Sequence, residues 1–250
     1  MKEVTVLSGK GGVGKTTISA SLALYLHREG RKVVCADADV DAPNLHILLG
    51  LEGAKAREFY SSFKAFILEE RCAKCYACQE ICQYGAIAIG DGAYPQVIDL
   101  LCEGCGACQI VCSFNAIELK RVITGKIIVG RTRYGFEIAT AQLSLGEHNS
   151  GHLVSEVRKE ARGMAKSKSA DVVVVDGAPG IGCPVIASIT GSDYVVAVVE
   201  PTPTGLHDLK RLAQVVDHFK VPMGIVVNKS TISDKYRAEV IAWARDTGGE

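Results

Sequence analysis

The sequence has no excess of charge of either sign. Lysine and arginine together number 28, aspartate and glutamate together number 28, and the formal net charge at pH 7 is zero. A protein that works mainly by holding nucleic acid usually carries a basic excess or a clustered basic face, and neither is visible here. The balance therefore predicts that nucleic acid is not a partner.

Long apolar segments are lacking as well. No apolar run approaches the roughly 20 residues that a membrane-spanning helix needs, and the C-terminal part shows no amphipathic membrane helix. The sequence opens directly on a strand-like run at residues 4–7, without a signal-peptide pattern. We therefore expect no membrane partner and a cytoplasmic location.

Apolar residues as a class are plentiful. Hydrophobic residues make up 48% of the 250 residues and charged residues 22%, which is the balance of an ordinary globular protein. A chain of this length can bury one full-sized core and a small second module.

The sequence also contains ten cysteines. In a reducing compartment such a number favours metal binding over disulfides.

Short β-branched runs alternate with helical segments at both ends of the chain. The run at 4–7 leads into a glycine-rich turn and then a helix that ends near Gly30. A hairpin is predicted over 125–145. Further strands are predicted at 32–36, 172–175, 195–199 and 224–227, and further helices at 153–168 and 205–219. Valine-rich strands that alternate with helices imply an α/β fold with a mostly parallel sheet covered on both faces.

The first glycine-rich turn matches the P-loop pattern, and it lies where that motif must lie, between a strand and a helix. Its glycines let successive N–H groups face phosphate oxygens, and the following helix adds the positive end of its dipole. Lys15 is expected to reach the β- and γ-phosphates of ATP, and the Thr16 hydroxyl to bind Mg²⁺. The predicted nucleotide-binding residues here are Gly9, Lys10, Gly11, Gly12, Val13, Gly14, Lys15, Thr16 and Thr17.

Carboxylates follow two other predicted strands at the same edge of the sheet. Asp176 ends the run at 172–175 and is the expected second anchor for Mg²⁺. Asp37, Asp39 and Asp41 follow the strand that begins near Lys32. One of these carboxylates is expected to orient the attacking water, and the others are expected to be solvated or to cap the next turn.

Eight cysteines form two related runs. Each run has the spacing C-x₂-C-x₂-C-x₃-C, and the second begins 30 residues after the first, which is typical of bacterial two-cluster ferredoxins. Because the fourth cysteine of each run binds the other cluster, we predict one 4Fe–4S cluster on Cys72, Cys75, Cys78 and Cys112. The second is predicted on Cys102, Cys105, Cys108 and Cys82. Two zinc sites are the alternative, but zinc sites usually pair two CxxC knuckles.

The cysteine runs also define the predicted domains. An α+β ferredoxin-like module at 63–120 is expected to be inserted into an ATPase domain that comprises 1–62 and 121–250. Gln83 and Ser113 follow the fourth cysteines, where ferredoxins usually have proline. This departure leaves the number of ligands unchanged but affects the rigidity of the loop and the reduction potential.

The segment 10–17, Lys-Gly-Gly-Val-Gly-Lys-Thr-Thr, resembles the deviant Walker A motif of the MinD/ParA/Mrp/nitrogenase-iron-protein superfamily, which belongs to the SIMIBI class of P-loop NTPases. The resemblance implies a slow ATPase in which Lys10 reaches across a nucleotide sandwich dimer to the partner's phosphates. It implies that Asp39 is the catalytic switch I residue, and that Asp176 with Gly180 forms switch II. Asp37, Asp176 and Thr16 are then the predicted Mg²⁺ ligands.

The resemblance covers nearly all of the chain outside the insert. It implies that Asn228 and Lys229 contact the purine. A further strand and helix are expected after Lys229, but the sequence ends at Glu250, which leaves part of the base pocket undefined. With the insert, the chain resembles MinD-superfamily ATPases that carry a ferredoxin domain, a group tied to iron–sulfur and redox functions. The implied partners are a second copy or a paralogue, and an iron–sulfur client or redox protein.

Two cysteines lie outside the runs. Cys35, within an apolar strand, is expected to be a small core residue. Cys183 lies just before a predicted helix, and the nitrogenase iron protein is similar in placing a cluster ligand at this offset from its switch II aspartate. Two copies of Cys183 are thus expected either to hold a metal or cluster across a dimer axis, or to be inert. His148 and His152 are interpreted as surface residues, and the charges at 158–162 as a solvated helix face.

Three functions fit these features. The first is an ATP-dependent factor for assembling or carrying iron–sulfur or other metal clusters, with dimer opening and closing driven by ATP. The second is ATP-gated electron transfer to a partner enzyme, which a closed set of eight cysteine ligands favours. The third, more distant function is a positioning ATPase of the partition or septum-placement type, in which two clusters have no evident role.

Overall fold

The computed structural model describes residues 1–147 and 150–247. The chain forms two compact units. The larger unit comprises Met1–Arg57, Lys126–Leu143 and Ser150–Glu250, and the smaller unit comprises Glu58–Gly125 and Ser144–Asn149. The module predicted at 63–120 falls within the smaller unit, which begins earlier and also takes in 144–149.

Strands and helices alternate along the chain. The strands are β1 Lys2–Ser8, β2 Val33–Asp37, β3 Leu51–Ile67, β4 Ile87–Ile89, β5 Pro95–Val97, β6 Ile117–Thr132, β7 Glu137–Leu143, β8 Val172–Pro179, β9 Tyr194–Val199 and β10 Met223–Val227. The helices are α1 Lys15–Arg28, α2 Leu45–Leu49, α3 Ala77–Ile81, α4 Ala107–Val111, α5 Ser150–Ser167, α6 Cys183–Ile189, α7 Pro203–His218 and α8 Asp234–Asp246.

The main sheet has eight strands in the order β10-β9-β1-β8-β2-β7-β6-β3. The strands from β10 to β7 pair in parallel. After β6 the chain turns back into β7, and the Thr132 N–H donates to the Phe136 carbonyl across 2.8 Å. The mostly parallel sheet and the hairpin near residues 125–145 are therefore confirmed.

Apolar side chains cover both faces of this sheet. Successive residues of a strand point to opposite faces, so Val6 and Leu7 of β1 enter different core clusters. The cluster around Val6 includes residues of α1 and α2, and the cluster around Leu7 includes residues of α6, α7 and α8. The four valines at 172–175 in β8 are all buried. The expectation of a sheet covered on both faces is confirmed.

Arg158 on α5 is buried, although the sequence predicts a solvated helix face at this position. Its side chain is only 3% exposed, and its Nε donates to Glu3 Oε1 across 2.9 Å. Nη1 also donates to the Thr190 carbonyl across 3.0 Å. A guanidinium buried this deeply needs such partners because burial penalises its charge. The prediction of a solvated position was thus wrong for Arg158, whereas Lys159 is exposed.

The smaller unit is built from two similar halves. Each cysteine run leads into a five-residue helix, α3 or α4. The residue before each helix, Tyr76 or Gly106, has positive φ. After each helix an amide donates to the fourth cysteine across 3.3 Å, from Ala86 to Cys82 Sγ and from Ala116 to Cys112 Sγ. The internal duplication seen in the sequence is thus also a duplication of local structure.

The part of the chain described here contains no helix that combines the length and the apolar character needed to cross a membrane.

Candidate functional site

The P-loop lies between β1 and α1, and two of its glycines are required by close approach. A Cβ atom on Gly9 would lie 2.6 Å from the backbone of Asp208, and one on Gly14 would lie 2.2 Å from Asn228 Nδ2. Gly14 also has a φ of 94°, which side chains rarely adopt. The loop therefore keeps its shape only with glycine at these two positions.

A cavity of about 540 Å³ opens over the P-loop. Its size suits a ligand such as a nucleotide. Most of its lining comes from the loop itself and from the ends of β2 and β8. The lining residues are Ser8, Gly11, Gly12, Gly14, Lys15, Thr16, Thr17, Asp39, Asp41, Ala42, Asn44, Ala178, Pro179 and Pro184. The predicted Thr16 and Asp39 thus reach the same cavity as Lys15.

Lys15 is held between two carboxylates. Its Nζ lies 2.9 Å from Asp176 Oδ1 and 3.6 Å from Asp39 Oδ2, and the side chain is almost fully buried. Ser19, one turn further along α1, donates to the same Asp176 oxygen across 2.8 Å. This network places the Lys15 ammonium beside Asp176, a predicted Mg²⁺ ligand, and Asp39, the predicted catalytic residue.

Asp37 and Asp176 lie side by side on neighbouring strands. Asp37 Oδ2 accepts from the Leu45 amide across 2.9 Å. Among the described residues, however, no partner contacts Asp37 Oδ1 or Asp176 Oδ2, and both carboxylates are buried. Burial raises the pKa of Asp37, while a hydrogen bond from His46 opposes that rise. Carboxylate oxygens are ligands that Mg²⁺ prefers, together with phosphates and water. Neither Asp37 nor Asp176 is among the residues that line the cavity.

Asp39 differs from Asp37 in its access to the cavity. Its side chain is 17% exposed. Partial burial raises the pKa of Asp39, and the nearby Lys15 opposes that effect. Asp41 is exposed and lines the outer part of the cavity. Of the three candidates, Asp39 thus combines contact with Lys15 and access to the cavity, as a residue that orients water requires.

The second P-loop lysine, Lys10, is paired within its own chain. Its Nζ lies 2.6 Å from Glu200 Oε1 and donates to Thr204 Oγ1 across 3.1 Å. Asn228 and Lys229 approach the same loop from the end of β10. Asn228 Nδ2 donates to the Val13 carbonyl and Lys229 Nζ to the Gly12 carbonyl, each across 2.8 Å. The structure thus brings both predicted base-contact residues to the P-loop.

The eight cysteines of the smaller unit line two separate cavities. Cys72, Cys75, Cys78 and Cys112 line one of them. The other is lined by Cys82, Cys102, Cys105 and Cys108. These are the two sets that the ferredoxin spacing assigns to separate clusters.

The form of these cavities bears on the kind of metal that they suit. Within residues 1–147 and 150–247, no three His, Cys, Asp or Glu side chains lie close enough together to hold one metal ion. A zinc site needs its ligands to converge on a single point about 2.0–2.3 Å away. Thiolates of a 4Fe–4S cluster surround a larger body instead. Each cavity is lined by four thiols, which is the number of ligands that either group takes.

Burial and neighbouring amides set the protonation and hydrogen bonding of several of these cysteines. Burial raises the pKa of the Cys78 and Cys108 thiols. Thiols in such surroundings are harder to ionise, and a bound cation favours their thiolate form. In the second cavity, the Ala65 amide also donates to Cys102 Sγ across 3.5 Å. Such N–H donors stabilise bound thiolates and influence the reduction potential.

The two remaining cysteines differ sharply in exposure. Cys35 in β2 is fully buried, so its prediction as a core residue is confirmed. Cys183 is exposed and is the first residue of α6. Its role as a ligand between two chains stays a prediction. His152 is exposed, as predicted, and His148 lies outside the described residues.

Sequence reasoning missed two residues of the nucleotide site. Ser19 lies four residues after Lys15, and this helical spacing is a signal that both side chains share one face. Glu200 directly follows β9, so it lies at the sheet edge where the other carboxylates were expected. Asp176 was predicted because it stands at the carboxyl end of a strand. The same reasoning would have selected Glu200.

Comparison with known proteins identifies the family. The CobQ/CobB/MinD/ParA nucleotide binding domain matches residues 4–247. An uncharacterized protein of Methanocaldococcus jannaschii, MJ0578, is 35% identical over 232 residues, which cover 93% of this chain and 79% of that protein. The cytosolic Fe-S cluster assembly factor Nubp2 homolog of Drosophila persimilis is 55% identical over 51 residues, 20% of each chain.

A solved structure shares the fold. The septum site-determining protein MinD of Pyrococcus horikoshii, complexed with Mg-ADP, superposes with a TM-score of 0.53 at 18% identity. The match covers 96% of this chain and 76% of that one. With the P-loop geometry and the family match over nearly its whole length, the chain belongs to the CobQ/CobB/MinD/ParA family of P-loop nucleotide-binding proteins.

Proposed function

We propose that this chain is a slow ATPase that couples ATP binding and hydrolysis to the assembly or carriage of iron–sulfur or other metal clusters. One observation carries the proposal. A P-loop cavity whose Lys15 contacts the buried Asp176 occurs in the same chain as two cavities that are each lined by four cysteines. Nucleotide chemistry and cluster binding are thus both supported by residues in place.

ATP is the proposed nucleotide, and Mg²⁺ its metal. Lys15 and the P-loop amides would hold the phosphates, and Thr16, Asp37 and Asp176 would hold Mg²⁺. Asp39 would orient the attacking water, since it lies beside Lys15 and lines the cavity. The solved MinD relative contains Mg-ADP, which supports this ligand class.

A nucleotide-dependent dimer completes the proposed ATPase. Lys10 would contact the phosphates of a partner chain, which is either a second copy or a paralogue. A cation supplied in trans stabilises the charge that develops on the transferred phosphoryl group. Asn228 and Lys229 would contact the base, and their position beside the P-loop supports that role.

Two 4Fe–4S clusters are the proposed cofactors of the smaller unit. Cys72, Cys75, Cys78 and Cys112 would hold one, and Cys102, Cys105, Cys108 and Cys82 the other. Such clusters supply one-electron transfer when they are bound. The chain's own contribution is to place four thiols around each cavity and to aim amide donors at several of them.

Assembly or carriage is favoured as the biological role by one comparison. The relative from Drosophila persimilis is named as a cytosolic Fe-S cluster assembly factor, and it shares 55% identity over 51 residues. The client would be an iron–sulfur protein or another metalloprotein.

ATP-gated electron transfer to a partner enzyme is the second candidate. It is favoured by the count of ligands, because four cysteines at each cavity complete the coordination of each cluster. A fully coordinated cluster is better suited to carry electrons than to leave as cargo. The partner in this case would be a redox protein.

Anaerobic purification with metal analysis and EPR tests the proposal. We expect about eight irons per chain, from the ligand count of a two-cluster ferredoxin pattern. In the dithionite-reduced protein, adding Mg-ATP should change the cluster EPR signal of the parent and leave that of Lys15→Ala unchanged. Cys183→Ser should keep about eight irons in these two cavities, because Cys183 is not among the residues that line either of them. Tightly bound zinc without iron would contradict the cluster assignment.

A further inference from the structure

A single carboxylate bridges two lysines of the nucleotide site. Glu200 lies just after β9, and its side chain is 14% exposed. Its Oε1 lies 2.6 Å from Lys10 Nζ, and its Oε2 lies 3.2 Å from Lys229 Nζ. Lys229 Nζ also donates to the Gly12 carbonyl across 2.8 Å. Glu200 therefore links Lys10 of the P-loop to Lys229 beyond the end of β10.

This pairing limits what Lys10 can do. Its side chain is 31% exposed and holds two contacts within its own chain, Glu200 and the Thr204 hydroxyl. Two of the three N–H donors of the Lys10 ammonium are thus used within the chain, and these two contacts hold the group in place. Extension of Lys10 towards a phosphate on another molecule therefore competes with its contact to Glu200.

The charge state of Glu200 keeps the pair in place at neutral pH. The hydrogen bond from Lys10 lowers the pKa of Glu200, and the hydrogen bond from Lys229 lowers it further. Glu200 is thus ionised throughout the neutral range. Phosphate oxygens are the alternative anions for Lys10, so binding of the partner's nucleotide competes directly with this carboxylate.

We propose that Glu200 is a positioning residue that holds Lys10 on its own chain and so sets the protein concentration at which two chains close around ATP. The proposal rests on the nucleotide-dependent dimer of the proposed function. If only a fraction of the chains has Lys10 free to contact a partner, the apparent affinity of dimerisation is reduced by that fraction. A partly exposed ion pair of this kind changes the ratio of paired to free Lys10 by about two- to fivefold.

Glu200→Gln is the direct test, because glutamine keeps the size of the side chain and removes its charge. Sedimentation with Mg²⁺ and a non-hydrolysable ATP analogue should show a dimerisation midpoint about two- to fivefold lower than in the parent. Glu200→Asp, which keeps the charge on a shorter side chain, should fall between the two.

A double variant separates this role from a general effect on folding. If Glu200 acts through Lys10, adding Glu200→Gln to Lys10→Met should change the midpoint no further. Glu156→Gln is the matched control, because the ion pairs of Glu156 among the described residues are with Arg57 and Lys159, both outside the P-loop. It should leave the midpoint at the parent value. A shift by Glu200→Gln that persists without Lys10 would overturn the proposal.

Lysine labelling tests the pair without any dimer. In the nucleotide-free protein, acetylation of Lys10 should be faster in Glu200→Gln than in the parent, whereas Lys2, at 77% exposure, should react equally in both. Equal Lys10 rates in parent and variant would overturn the proposal. If Lys10 is released in the variant but the parent forms no dimer and hydrolyses no ATP, the proposed function fails, and with it the part of this proposal that concerns dimerisation.

Discussion

Lys15 Nζ lies 2.9 Å from Asp176 Oδ1, so the P-loop lysine and a predicted magnesium ligand neutralise each other. The side chain of Asp176 is fully buried and that of Lys15 is 7% exposed. A buried ion pair is held together strongly because each charge would be costly to bury without the other. In the proposed function, a bound phosphate would replace the carboxylate as the partner of Lys15, and Mg²⁺ would replace the lysine as the partner of Asp176.

Removing Lys15 should therefore abolish ATP hydrolysis. In Lys15→Ala we expect the rate to fall by about 100-fold or more, as when other charge-stabilising groups are removed from active sites. Steady-state phosphate release measures the effect. Lys55→Ala is the control, because Lys55 is exposed and distant in sequence from the loop, and it should hydrolyse ATP at the parent rate. A parent-like rate in Lys15→Ala would exclude the nucleotide assignment.

Replacing Asp37 by asparagine should stabilise the protein while weakening its response to Mg-ATP. Asp37 is fully buried with one unpartnered oxygen, so its charge opposes folding. We expect Asp37→Asn to raise the free energy of unfolding at neutral pH by about 1 kcal/mol, as removal of strain from functional sites often does. The stabilisation that Mg-ATP adds to the parent should be lost in the variant.

The pH dependence of this gain follows from the raised pKa of Asp37. Because the carboxyl is harder to ionise in the folded state than in the unfolded state, its ionisation costs stability as the pH rises. The advantage of Asp37→Asn should be full above the raised pKa and should vanish below the ordinary pKa of aspartate. Thermal unfolding at several pH values measures it, with Asp41→Asn as the exposed control. A variant that is less stable at neutral pH would contradict the argument.

The P-loop site was predictable because its signals are local. A strand, a glycine-rich turn and a helix follow one another directly, and the carboxylates stand at the ends of strands whose edge the topology fixes. The predicted Lys15, Asp39 and Asp176 are accordingly found together. The cysteine sets were predictable for the same reason, because the spacing within each run specifies three of the four residues around each cavity.

Strand β3 was not predicted, and its sequence explains why. The residues at 52–58 are all exposed and include several charges, so no alternation of apolar and polar residues marks them as a strand. β3 lies at the end of the sheet order, where a strand pairs on one side only. Its pairing with β6, which is distant in the sequence, is not encoded in any local pattern.

Arg158 shows a signal that was present but misinterpreted. Val154, Arg158, Ala161 and Ala165 follow one another at helical spacing, and all four are buried. That spacing places Arg158 on the apolar stripe of α5. The partner that makes its burial possible, Glu3, belongs to β1 and only the tertiary structure reveals it.

The Glu3–Arg158 pair should contribute strongly to stability. The Glu3 side chain is 3% exposed, and in Arg158→Met its remaining guanidinium partner among the described residues is Arg162. Breaking a buried pair on one side costs about 3–5 kcal/mol, and the remaining Arg162 places the expected loss at about 3 kcal/mol. Thermal unfolding measures the change.

Two further variants test the cause of that loss. Lys159→Met is the control, because the Lys159 side chain is 76% exposed, and its unfolding temperature should match the parent. Adding Glu3→Gln to Arg158→Met should recover part of the stability, since the uncompensated charge is then removed. A loss in Arg158→Met no larger than in the control would show that the pair contributes nothing.

Alkylation should distinguish the two cysteines that lie outside the cluster sets. Cys183 is exposed at the start of α6, whereas Cys35 is fully buried in β2. Burial raises the pKa of Cys35 well above that of an ordinary thiol, with Asp176 and Asp37 adding to the shift. The attacking species is the thiolate. Iodoacetamide should therefore label Cys183 in the native protein and leave Cys35 unlabelled.

Peptide mapping by mass spectrometry after timed labelling measures both rates. Cys35 should react only at the rate at which the sheet opens, and denaturant should bring its rate close to that of Cys183. Cys183→Ser, labelled in parallel, identifies the fast site, because its fast phase should disappear. Rapid labelling of Cys35 in the native protein would mean that β2 opens far more often than a strand in the middle of a buried sheet can, and the account of this core would then be wrong.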